Sequence, residues 1–228
     1  MSARVLPRDC WFAAVYDVVN WLAERRLLGP FRARLVSDLG GRLLDLGAGT
    51  GANFPYYRAA ELVVAADPDP YMLRRAVWKA AGMRPRVASV LCAAEALPFG
   101  AGSFDGVVAT LVLCTVDTPD RALAEVRRVL RPSGRLSLIE HVRSEGWAGR
   151  VQDAVVPAWK WLAAGCHPNR RTEALVRSAG FTFDEIEQRS MGPSPLIVGV
   201  ARPAHGETPP ALASAPGPAE QGMASRDG

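Results

Sequence analysis

Several features that would assign this 228-residue chain to a familiar class are absent. The four cysteines, Cys10, Cys92, Cys114 and Cys166, lie far apart and form no CxxC pair, which argues against a zinc knuckle or a disulfide scaffold. The spacing therefore predicts no metal site. Because no secretory signal precedes these cysteines, their use favours a reducing compartment, and we expect a cytoplasmic protein.

Long apolar runs and basic tracts are also missing. The best apolar candidate, Trp11 to Leu22, is broken by Asp17 and Asn20 and is shorter than the roughly 18 residues that cross a bilayer. The net charge is only +4, and Lys and Arg are scattered without a nucleic-acid-binding motif. We expect no nucleic-acid partner, no membrane span and at most a peripheral membrane contact. No pattern indicates an oligomeric state.

Apolar segments of strand length alternate with amphipathic segments of helix length along most of the chain. Continuous apolar strands in such an alternation are typical of a parallel sheet covered by helices on both faces, so the predicted fold class is α/β. The predicted strands are 43–44, 62–66, 86–91, 106–113, 135–140, 181–188 and 195–201. The predicted helices are 10–28, 31–39, 69–81, one beginning at 117, and 170–179.

The ends of the chain and one internal segment depart from this alternation. We predict an N-terminal helical lid over residues 1–40, a domain over 41–202, and a disordered tail over 203–228. Within the domain, residues 142–169 carry Trp147, Trp159 and Trp161 but no clean strand. We interpret this segment as a substrate-covering insertion.

The stretch from Leu43 to Gly51, LLDLGAGTG, combines a short strand with a glycine-rich turn. Asn53 and Pro55 follow it and are suited to begin a helix. A strand, a glycine-rich turn and a helix N-terminus predict a nucleotide-type site.

Asp45 discriminates between the nucleotides. In a dinucleotide enzyme this strand end faces a pyrophosphate, which a carboxylate would repel. S-adenosylmethionine has no phosphate, and its ammonium can donate hydrogen bonds to a carboxylate. The charge pattern therefore favours the methyl donor, although a turn-capping role for Asp45 stays open.

The segment DLGAGTG, residues 45–51, resembles motif I of the class I S-adenosylmethionine-dependent methyltransferases. Further motifs follow in that family's order: Asp67 after the second strand, AEALPF at 94–99, SFDGVVATLVLCTV at 103–116 and EVRRVLRPSGRL at 125–136. The resemblance covers about residues 10–202. It implies a Rossmann-like, seven-stranded, mostly parallel sheet in which the last-added strand runs antiparallel.

A finer resemblance points to the methyltransferase-like alkyl thiol methyltransferases, which are related to quinone-biosynthesis and phospholipid methyltransferases. The residues that carry it are GTGANF, TLVLCTV, EHV at 140–142, and PAWKWLAAGC followed by HPNRRT. It implies S-adenosyl-L-methionine as donor, no metal, and a small, lipophilic acceptor. A thiol is the first acceptor expected, and a phospholipid amine or quinone precursor the next. A non-catalytic donor-binding module and a nucleotide-dependent oxidoreductase remain alternatives.

The resemblance places donor-binding residues on several segments. Asp67 would bind both ribose hydroxyls, because a carboxylate can accept two donors at once. Where many relatives have an Asp that contacts adenine, this chain has Ala93, so Ala94 or Glu95 must substitute. Met72, Thr110 and Leu111 could equally be core residues. The full predicted set is Tyr16, Asp45, Gly47, Ala48, Gly49, Thr50, Gly51, Asn53, Asp67, Pro68, Met72, Ala94, Glu95, Thr110 and Leu111.

Two residues at the end of the fifth strand are the catalytic candidates. His141 would act as a base toward the acceptor, and Glu140 would orient its ring or contact substrate. His167 is a weaker candidate, and Cys114 is interpreted as a small core residue. The tryptophans outside the sheet, with Trp11, predict a lid over an apolar acceptor, a membrane-resting surface, or ordinary packing.

Overall fold

The computed structural model of the protein describes residues 27–162, 165–190 and 194–204. Most of the predicted N-terminal helix, including Trp11 and Tyr16, therefore lies outside the described residues, as does the predicted tail from residue 205 onward. The described part of the predicted lid contains one helix, α1 (Gly29–Val36), which corresponds to the helix predicted at 31–39.

Seven strands form a single sheet in the order β3-β2-β1-β4-β5-β7-β6. Strand β7 runs antiparallel to both of its neighbours, and the other pairings are parallel. The predicted sheet, with its last-added strand antiparallel, is confirmed. The strands are β1 (Gly41–Leu46), β2 (Ala60–Asp67), β3 (Arg86–Leu91), β4 (Phe104–Thr110), β5 (Leu130–His141), β6 (Phe181–Arg189) and β7 (Leu196–Pro203).

Four further helices complete the described structure: α2 (Pro70–Ala80), α3 (Pro119–Val129), α4 (Gly146–Leu162) and α5 (Thr172–Ser178). Helix α2 begins as the sequence predicts, because the Asp69 carboxylate accepts hydrogen bonds from the backbone N–H groups of Tyr71 and Met72. The buried positions of α3 include Leu123, Val126 and Val129, as its periodicity predicts.

The sheet separates two apolar cores. Leu43 and Leu44 are successive residues of β1 whose side chains point to opposite faces. Leu43 packs in the core that includes Leu35 and Leu73, while Leu44 packs in the core that includes Leu123. Because both leucines are fully buried, each contributes about 1.5–3 kcal/mol to folding. This two-sided burial explains why the strands read as continuous apolar runs.

The helix predicted after the glycine-rich loop is wrong. The chain forms only a 3₁₀ turn, Phe54–Tyr56, and Tyr57 is already extended. The Asn53 side chain makes no capping hydrogen bond, because it is engaged with side chains at the ends of β1 and β4. The backbone then turns directly into β2.

Two other segments differ from the pattern. Residues 131–134, which precede the predicted strand 135–140, belong to β5 but bulge, since Phe104 pairs with Leu130 while Gly106 pairs with Arg135. Residues 142–169 contain the 17-residue helix α4. Neither α4 nor any other helix in the described ranges has the length and apolar character needed to span a membrane.

Candidate functional site

Three neighbouring strands bring polar side chains to one edge of the sheet. Asp45 lies near the end of β1, Asp67 ends β2 and Thr110 ends β4, and β1 pairs with both other strands. Because the three strands are parallel, their carboxyl ends meet at the crevice where ligands of open α/β sheets bind. The structure thus places three of the predicted donor residues at the expected edge.

The glycine-rich loop over this edge packs too tightly for side chains at two positions. Gly47 has a φ of +58°, and a Cβ there would lie 2.5 Å from Val112 Cγ2. Gly51 has a φ of +82°, and its Cβ would lie 2.5 Å from the Phe54 ring. At Gly49 a Cβ would meet nothing within 4 Å, so the loop leaves space at that point.

A buried polar network links the ends of β1 and β4 to helix α1. Asn53 Nδ2 donates to Asp45 Oδ1 at 2.9 Å and to Thr110 Oγ1 at 3.2 Å. Arg32 NH1 donates to Asn53 Oδ1 at 2.6 Å and to Thr110 Oγ1 at 2.7 Å. The network therefore holds Asp45 in place through neighbours from three different elements. Sequence reasoning missed Arg32, because nothing in a short helix distinguishes a buried arginine from an exposed one.

One oxygen of this network has no partner at hydrogen-bond geometry among the described residues. Asp45 is fully buried, and its Oδ2 and the buried Tyr57 hydroxyl both lack such a partner, although the two groups interact electrostatically. Burial raises the pKa of Asp45 to about 6, although Asn53 and Arg32 act in the opposite direction. An unpaired buried carboxylate oxygen is costly, so a ligand ammonium at this point would satisfy it. The residues present fit the amino-acid end of S-adenosylmethionine.

Protein donors use only some of the hydrogen-bond acceptor positions of the Asp67 carboxylate. Its Oδ2 accepts from the Gly49 N–H at 2.8 Å, and its Oδ1 accepts from the Asp69 N–H at 2.9 Å. A carboxylate has about four acceptor positions, so each oxygen retains one for a ribose hydroxyl. Asp67 is mostly buried, and this burial raises its pKa. The carboxylate is therefore oriented by the loop and still able to bind a diol.

The remaining predicted donor residues surround these two carboxylates. Ala48, Thr50, Met72 and Ala94 are buried, and Pro68 is exposed at the end of β2. The Thr50 hydroxyl accepts from Lys79 Nζ at 3.1 Å.

Glu95 accepts from the Thr118 N–H at 3.2 Å, so its carboxylate is directed to the start of α3. Ala93 is exposed and offers no side-chain acceptor. The described position of Glu95 therefore leaves the side-chain acceptor expected at this place unsupplied.

Leu111, directly after β4, has a φ of +60°. A bulky residue in that conformation is strained, and such strain clusters at functional sites. The Leu111 N–H donates to the Ile139 carbonyl at 2.7 Å, which fixes the turn against β5. The turn directs the chain from the donor edge toward the end of β5.

Glu140 anchors the loop that follows this turn. It is fully buried, and its carboxylate accepts from the N–H groups of Val112 at 2.7 Å, Leu113 at 2.8 Å and Cys114 at 3.1 Å. Burial raises the pKa of Glu140 to about 7, against the opposing effect of these three donors. Its contacts are thus with the loop backbone, whereas the sequence expectation gave it the His141 ring or substrate.

His141, at the end of β5, is surrounded by sulfur. Its Nδ1 lies 3.7 Å from Cys114 Sγ and 3.7 Å from Cys166 Sγ. Both cysteines are buried, whereas His141 is partly exposed. The hydrogen bond from Cys114 and the adjacent His141 lower the pKa of the Cys166 thiol. Sequence reasoning did not single out Cys166, because it lies 25 positions from His141 and 52 positions from Cys114 in the chain.

The segment 165–170 is fastened onto the loop that carries Cys114. The His167 N–H donates to the Cys114 carbonyl at 2.7 Å, and the Arg170 guanidinium donates to the Leu113 carbonyl. The His167 ring lies beside that same Cys114 carbonyl, with Nδ1 at 3.3 Å, and not within the sulfur cluster. These bonds fix Cys166 next to Cys114.

Helix α4 lies beside this cluster and presents an apolar stripe to solvent. Trp147, Val151, Val155 and Trp159 recur every four residues and are between 39% and 78% exposed. Gln152 of the same helix is buried, and its amide hydrogen-bonds residues 142, 144 and 194. The predicted lid tryptophans thus belong to one helix, except Trp11 and the side chain of Trp161, which lie outside the described structure.

Comparison with known proteins gives a consistent result. Residues 44–138 match the family model described as a methyltransferase domain. The human thiol S-methyltransferase TMT1B is 37% identical over 159 residues, which are 68% of this chain and 64% of that protein. The phosphatidylethanolamine N-methyltransferase of Cereibacter sphaeroides is 30% identical over 191 residues, which are 81% of this chain and 90% of that protein.

A solved structure from Thermotoga maritima shows the same fold. It is described as a S-adenosylmethionine-dependent methyltransferase, possibly a histamine N-methyltransferase, and it superposes with a TM-score of 0.63 at 23% identity. The superposition covers 84% of this chain and 97% of the other. The chain spans less than two thirds of the length of the thiol S-methyltransferases it matches.

Proposed function

The chain belongs to the family of S-adenosylmethionine-dependent methyltransferases, and on that premise we propose that it methylates a small, lipophilic acceptor, in the first place a thiol. The single observation that best supports the donor half of this proposal is the buried Asp45 Oδ2, which makes no hydrogen bond of normal geometry within the described part of the chain. The acceptor half is supported by the location of His141, at the strand end next to the donor edge.

In this proposal the donor is held by two carboxylates. Asp45 accepts hydrogen bonds from the ammonium of the donor, and Asp67 accepts from the ribose hydroxyls. Gly49 gives the donor room to approach the loop backbone. Around them, the proposed donor contacts are Tyr16, Gly47, Ala48, Thr50, Gly51, Asn53, Pro68, Met72, Ala94, Glu95, Thr110 and Leu111.

The reaction asks little covalent chemistry of the protein. When bound, S-adenosylmethionine supplies a methyl carbon made electrophilic by its sulfonium. The protein contributes by holding the acceptor in line with that carbon and by excluding water. Leu111 turns the loop from the donor edge toward the end of β5, and Trp159 of α4 lies near Cys166.

A thiol is the acceptor that best suits this site. With a pKa near 8.5, a thiol needs only modest assistance to become a nucleophile at neutral pH. We assign His141 as the residue that activates the acceptor, and Glu140 as the residue that positions the loop around Cys114. The names of the human relatives, thiol S-methyltransferases TMT1A and TMT1B, support the same choice.

A phospholipid amine is the second candidate acceptor, and a quinone precursor is the next. The amine is favoured by the phosphatidylethanolamine N-methyltransferase relative, most of whose length this chain covers. It is also favoured by the exposed apolar stripe of α4, which would suit contact with a lipid surface.

A labelled-methyl transfer screen over alkyl thiols, phenols and phosphatidylethanolamine vesicles tests the acceptor. The proposal predicts transfer to a thiol at the highest kcat/KM. Calorimetry with S-adenosylmethionine and NAD tests the donor: binding of NAD alone would overturn the proposal in favour of an oxidoreductase. Donor binding without transfer to any acceptor would instead indicate a non-catalytic binding module.

A further inference from the structure

We propose that Cys114, His141 and Cys166 bind one zinc ion, and that this ion coordinates the sulfur of a thiol acceptor for methylation. The proposal rests on the proposed thiol methylation and deepens it, because it assigns a mechanism to His141. It revises the sequence-based expectation that the protein binds no metal.

The distances match a zinc site. Zinc binds sulfur at about 2.3 Å and imidazole nitrogen at about 2.0–2.1 Å, so a tetrahedral ion places a sulfur and a nitrogen about 3.6 Å apart. In the structure, His141 Nδ1 lies 3.7 Å from each cysteine sulfur. All three ligand atoms lie within 4.8 Å of one another. This upper limit is compatible with the roughly 3.8 Å expected between two sulfurs bound to one zinc ion.

The protein holds these three side chains in place by contacts that do not use the ligand atoms. Glu140 accepts the backbone N–H of Cys114, and the Cys114 carbonyl in turn accepts the N–H of His167, next to Cys166. The His141 carbonyl accepts from the Thr172 hydroxyl at 3.2 Å. Such outer contacts orient metal ligands before the metal binds.

The described residues supply three protein ligands, which is the number that a catalytic zinc site uses. Structural zinc sites use four protein ligands, whereas catalytic sites use three and leave one position open. Among the residues that the structure describes, one group of histidine, cysteine, aspartate or glutamate side chains is close enough to hold a metal ion. That group is Cys114, His141 and Cys166. Two thiolates would balance the charge of the ion, and the partly exposed His141 lies on the accessible side.

The cluster is also placed where the acceptor must be. Cys114 lies in the loop after β4, and His141 ends β5, so both belong to the edge that carries Asp45 and Thr110. Strand β4 contributes Thr110 to the donor network and pairs with β5 through Ile139. A sulfur bound at the open zinc position would therefore lie on the acceptor side of the donor pocket.

The proposed step balances without an oxidant or reductant. The acceptor thiol loses its proton to solvent when its sulfur coordinates zinc, because a metal-bound thiol is deprotonated. That sulfur forms a bond to the methyl carbon of the donor. The bond from the methyl carbon to the sulfonium breaks, and its electron pair returns to the donor sulfur. The products are a neutral methyl thioether and S-adenosylhomocysteine.

Metal analysis of the full-length protein is the first test. The chain is purified without a metal-binding tag, incubated with zinc, dialysed extensively and measured by elemental mass spectrometry. We expect about one zinc per chain for the native sequence. Cys166→Ala, His141→Ala and Cys114→Ser should each fall below about one tenth, because losing a ligand weakens binding more than the roughly 10–100-fold cost of losing an outer partner.

Cys92→Ala is the matched control, because Cys92 lies after β3 and outside the cluster. It should retain the full zinc content. Each variant must also show native circular dichroism, so that lost zinc reports the site and not unfolding. A native protein without zinc overturns the proposal, as does a Cys114–Cys166 disulfide found by mass spectrometry under non-reducing conditions, or equal zinc loss in Cys92→Ala.

Cobalt(II) gives a readout that does not depend on turnover. Cobalt in the native protein should show the intense visible bands of a tetrahedral site and a sulfur-to-cobalt charge-transfer band, and thiophenol should change the visible bands by occupying the open position. Octahedral cobalt, or no response to thiophenol, overturns the proposal.

Methyl transfer separates this proposal from the proposed function. Labelled methyl transferred to a thiol by a zinc-free protein would retain the function and reject the zinc. Bound zinc in a protein that transfers no methyl to thiols would retain the metal site and reject the thiol methylation.

Discussion

The two halves of the active edge are built in different ways. On the proposed donor half, at the ends of β1, β2 and β4, charged and polar side chains are bound to one another, and Asp45 Oδ2 and the Tyr57 hydroxyl make no hydrogen bond of normal geometry within the described residues. On the proposed acceptor half, at the end of β5, two thiols and an imidazole meet, and Trp159 of α4 lies near one of the thiols. The first half is a hydrogen-bonded network that a cationic ligand group would complete. The second half is a set of nucleophilic groups.

This difference reflects what each half must recognise. The donor is the same molecule throughout the family, so its half can be assembled from strand ends and one short loop. The acceptor half is assembled from the loop after β4, the end of β5 and the segment before α5. Substitutions on the two sides should therefore affect different quantities: donor affinity on one side and acceptor turnover on the other.

The largest expected effect lies on the acceptor half. His141→Ala should lower kcat for thiol methylation by at least about 100-fold, because the residue that activates the acceptor is gone. Donor affinity measured by calorimetry should change less than about twofold, since His141 takes no part in the network around Asp45. The loss should grow with the pKa of the acceptor.

His167→Ala is the natural comparison, because His167 lies outside the sulfur cluster and its ordering contact with Cys114 is made by backbone N–H. We expect a loss below about tenfold. An equal loss of kcat in both variants, or a large loss of donor affinity in His141→Ala, would contradict the separate roles assigned to the two halves.

The donor half was the more predictable of the two. Asp45, the glycines and Asp67 are close in sequence, and strand-end geometry brings their positions together before any side chain is considered. The seven-stranded sheet was predictable for the same reason, since apolar strands alternate with helices. Arg32 was not, because its burial depends on the long-range contacts that its side chain makes with Asn53 and Thr110.

The residues of the acceptor half could not be predicted from strand-end positions in the sequence. Cys114 and Cys166 are each unremarkable in sequence, and they are brought together by the bonds that the His167 N–H and the Arg170 guanidinium donate to the carbonyls of residues 114 and 113. The helix predicted after Pro55 failed for a related reason: the Asn53 side chain is used in tertiary contacts rather than as a cap. Local sequence patterns carry no information about which side chains meet through tertiary contacts.

The second expected effect tests the donor half. Asp45→Asn should weaken S-adenosylmethionine binding about 10- to 100-fold, because a charge-assisted hydrogen bond to the ammonium is lost. The same substitution should raise the midpoint of thermal unfolding at pH 8 without donor, since it removes a fully buried charge whose burial outweighs its partners.

Asp38→Asn is the control, because Asp38 is largely exposed and pairs with Arg135 at 4.0 Å, which is a weak contact. Neither donor affinity nor stability should change measurably. If Asp45→Asn binds the donor like the native protein, the unpaired Oδ2 is not the ammonium site.

A pH series should show a smaller effect with a definite sign. The pKa of Asp45 is raised from 3.8 to about 6, so its carboxylate is protonated below pH 6 in the free protein. Donor affinity measured by calorimetry should therefore fall as pH decreases below about 6, by up to tenfold per pH unit. Asp45→Asn should remove this dependence; if the dependence persists there, another group is responsible.

Without donor, the same shift affects stability in the opposite direction. The folded state binds more protons at Asp45 than the unfolded state between pH 3.8 and about 6. The contribution of Asp45 to the free energy of unfolding therefore decreases as pH rises through this window and is constant above it. The difference between native and Asp45→Asn unfolding curves, measured by urea titration at several pH values, isolates this contribution.

The smallest expected effect concerns the outer surface of the acceptor half. Trp147 is 78% exposed and Val151 is 51% exposed on the α4 stripe. If the stripe rests on lipid, Trp147→Ser combined with Val151→Ser should reduce co-sedimentation with phosphatidylethanolamine-containing vesicles several-fold, since apolar burial contributes about 25 cal/mol per Å². Turnover of a small soluble thiol should stay unchanged, because both side chains are exposed to solvent. Trp78→Ser, at an equally exposed tryptophan on α2, controls for the general loss of surface aromatics. Equal vesicle binding in all three proteins would assign the stripe to another role and confine the acceptor half to the region around His141.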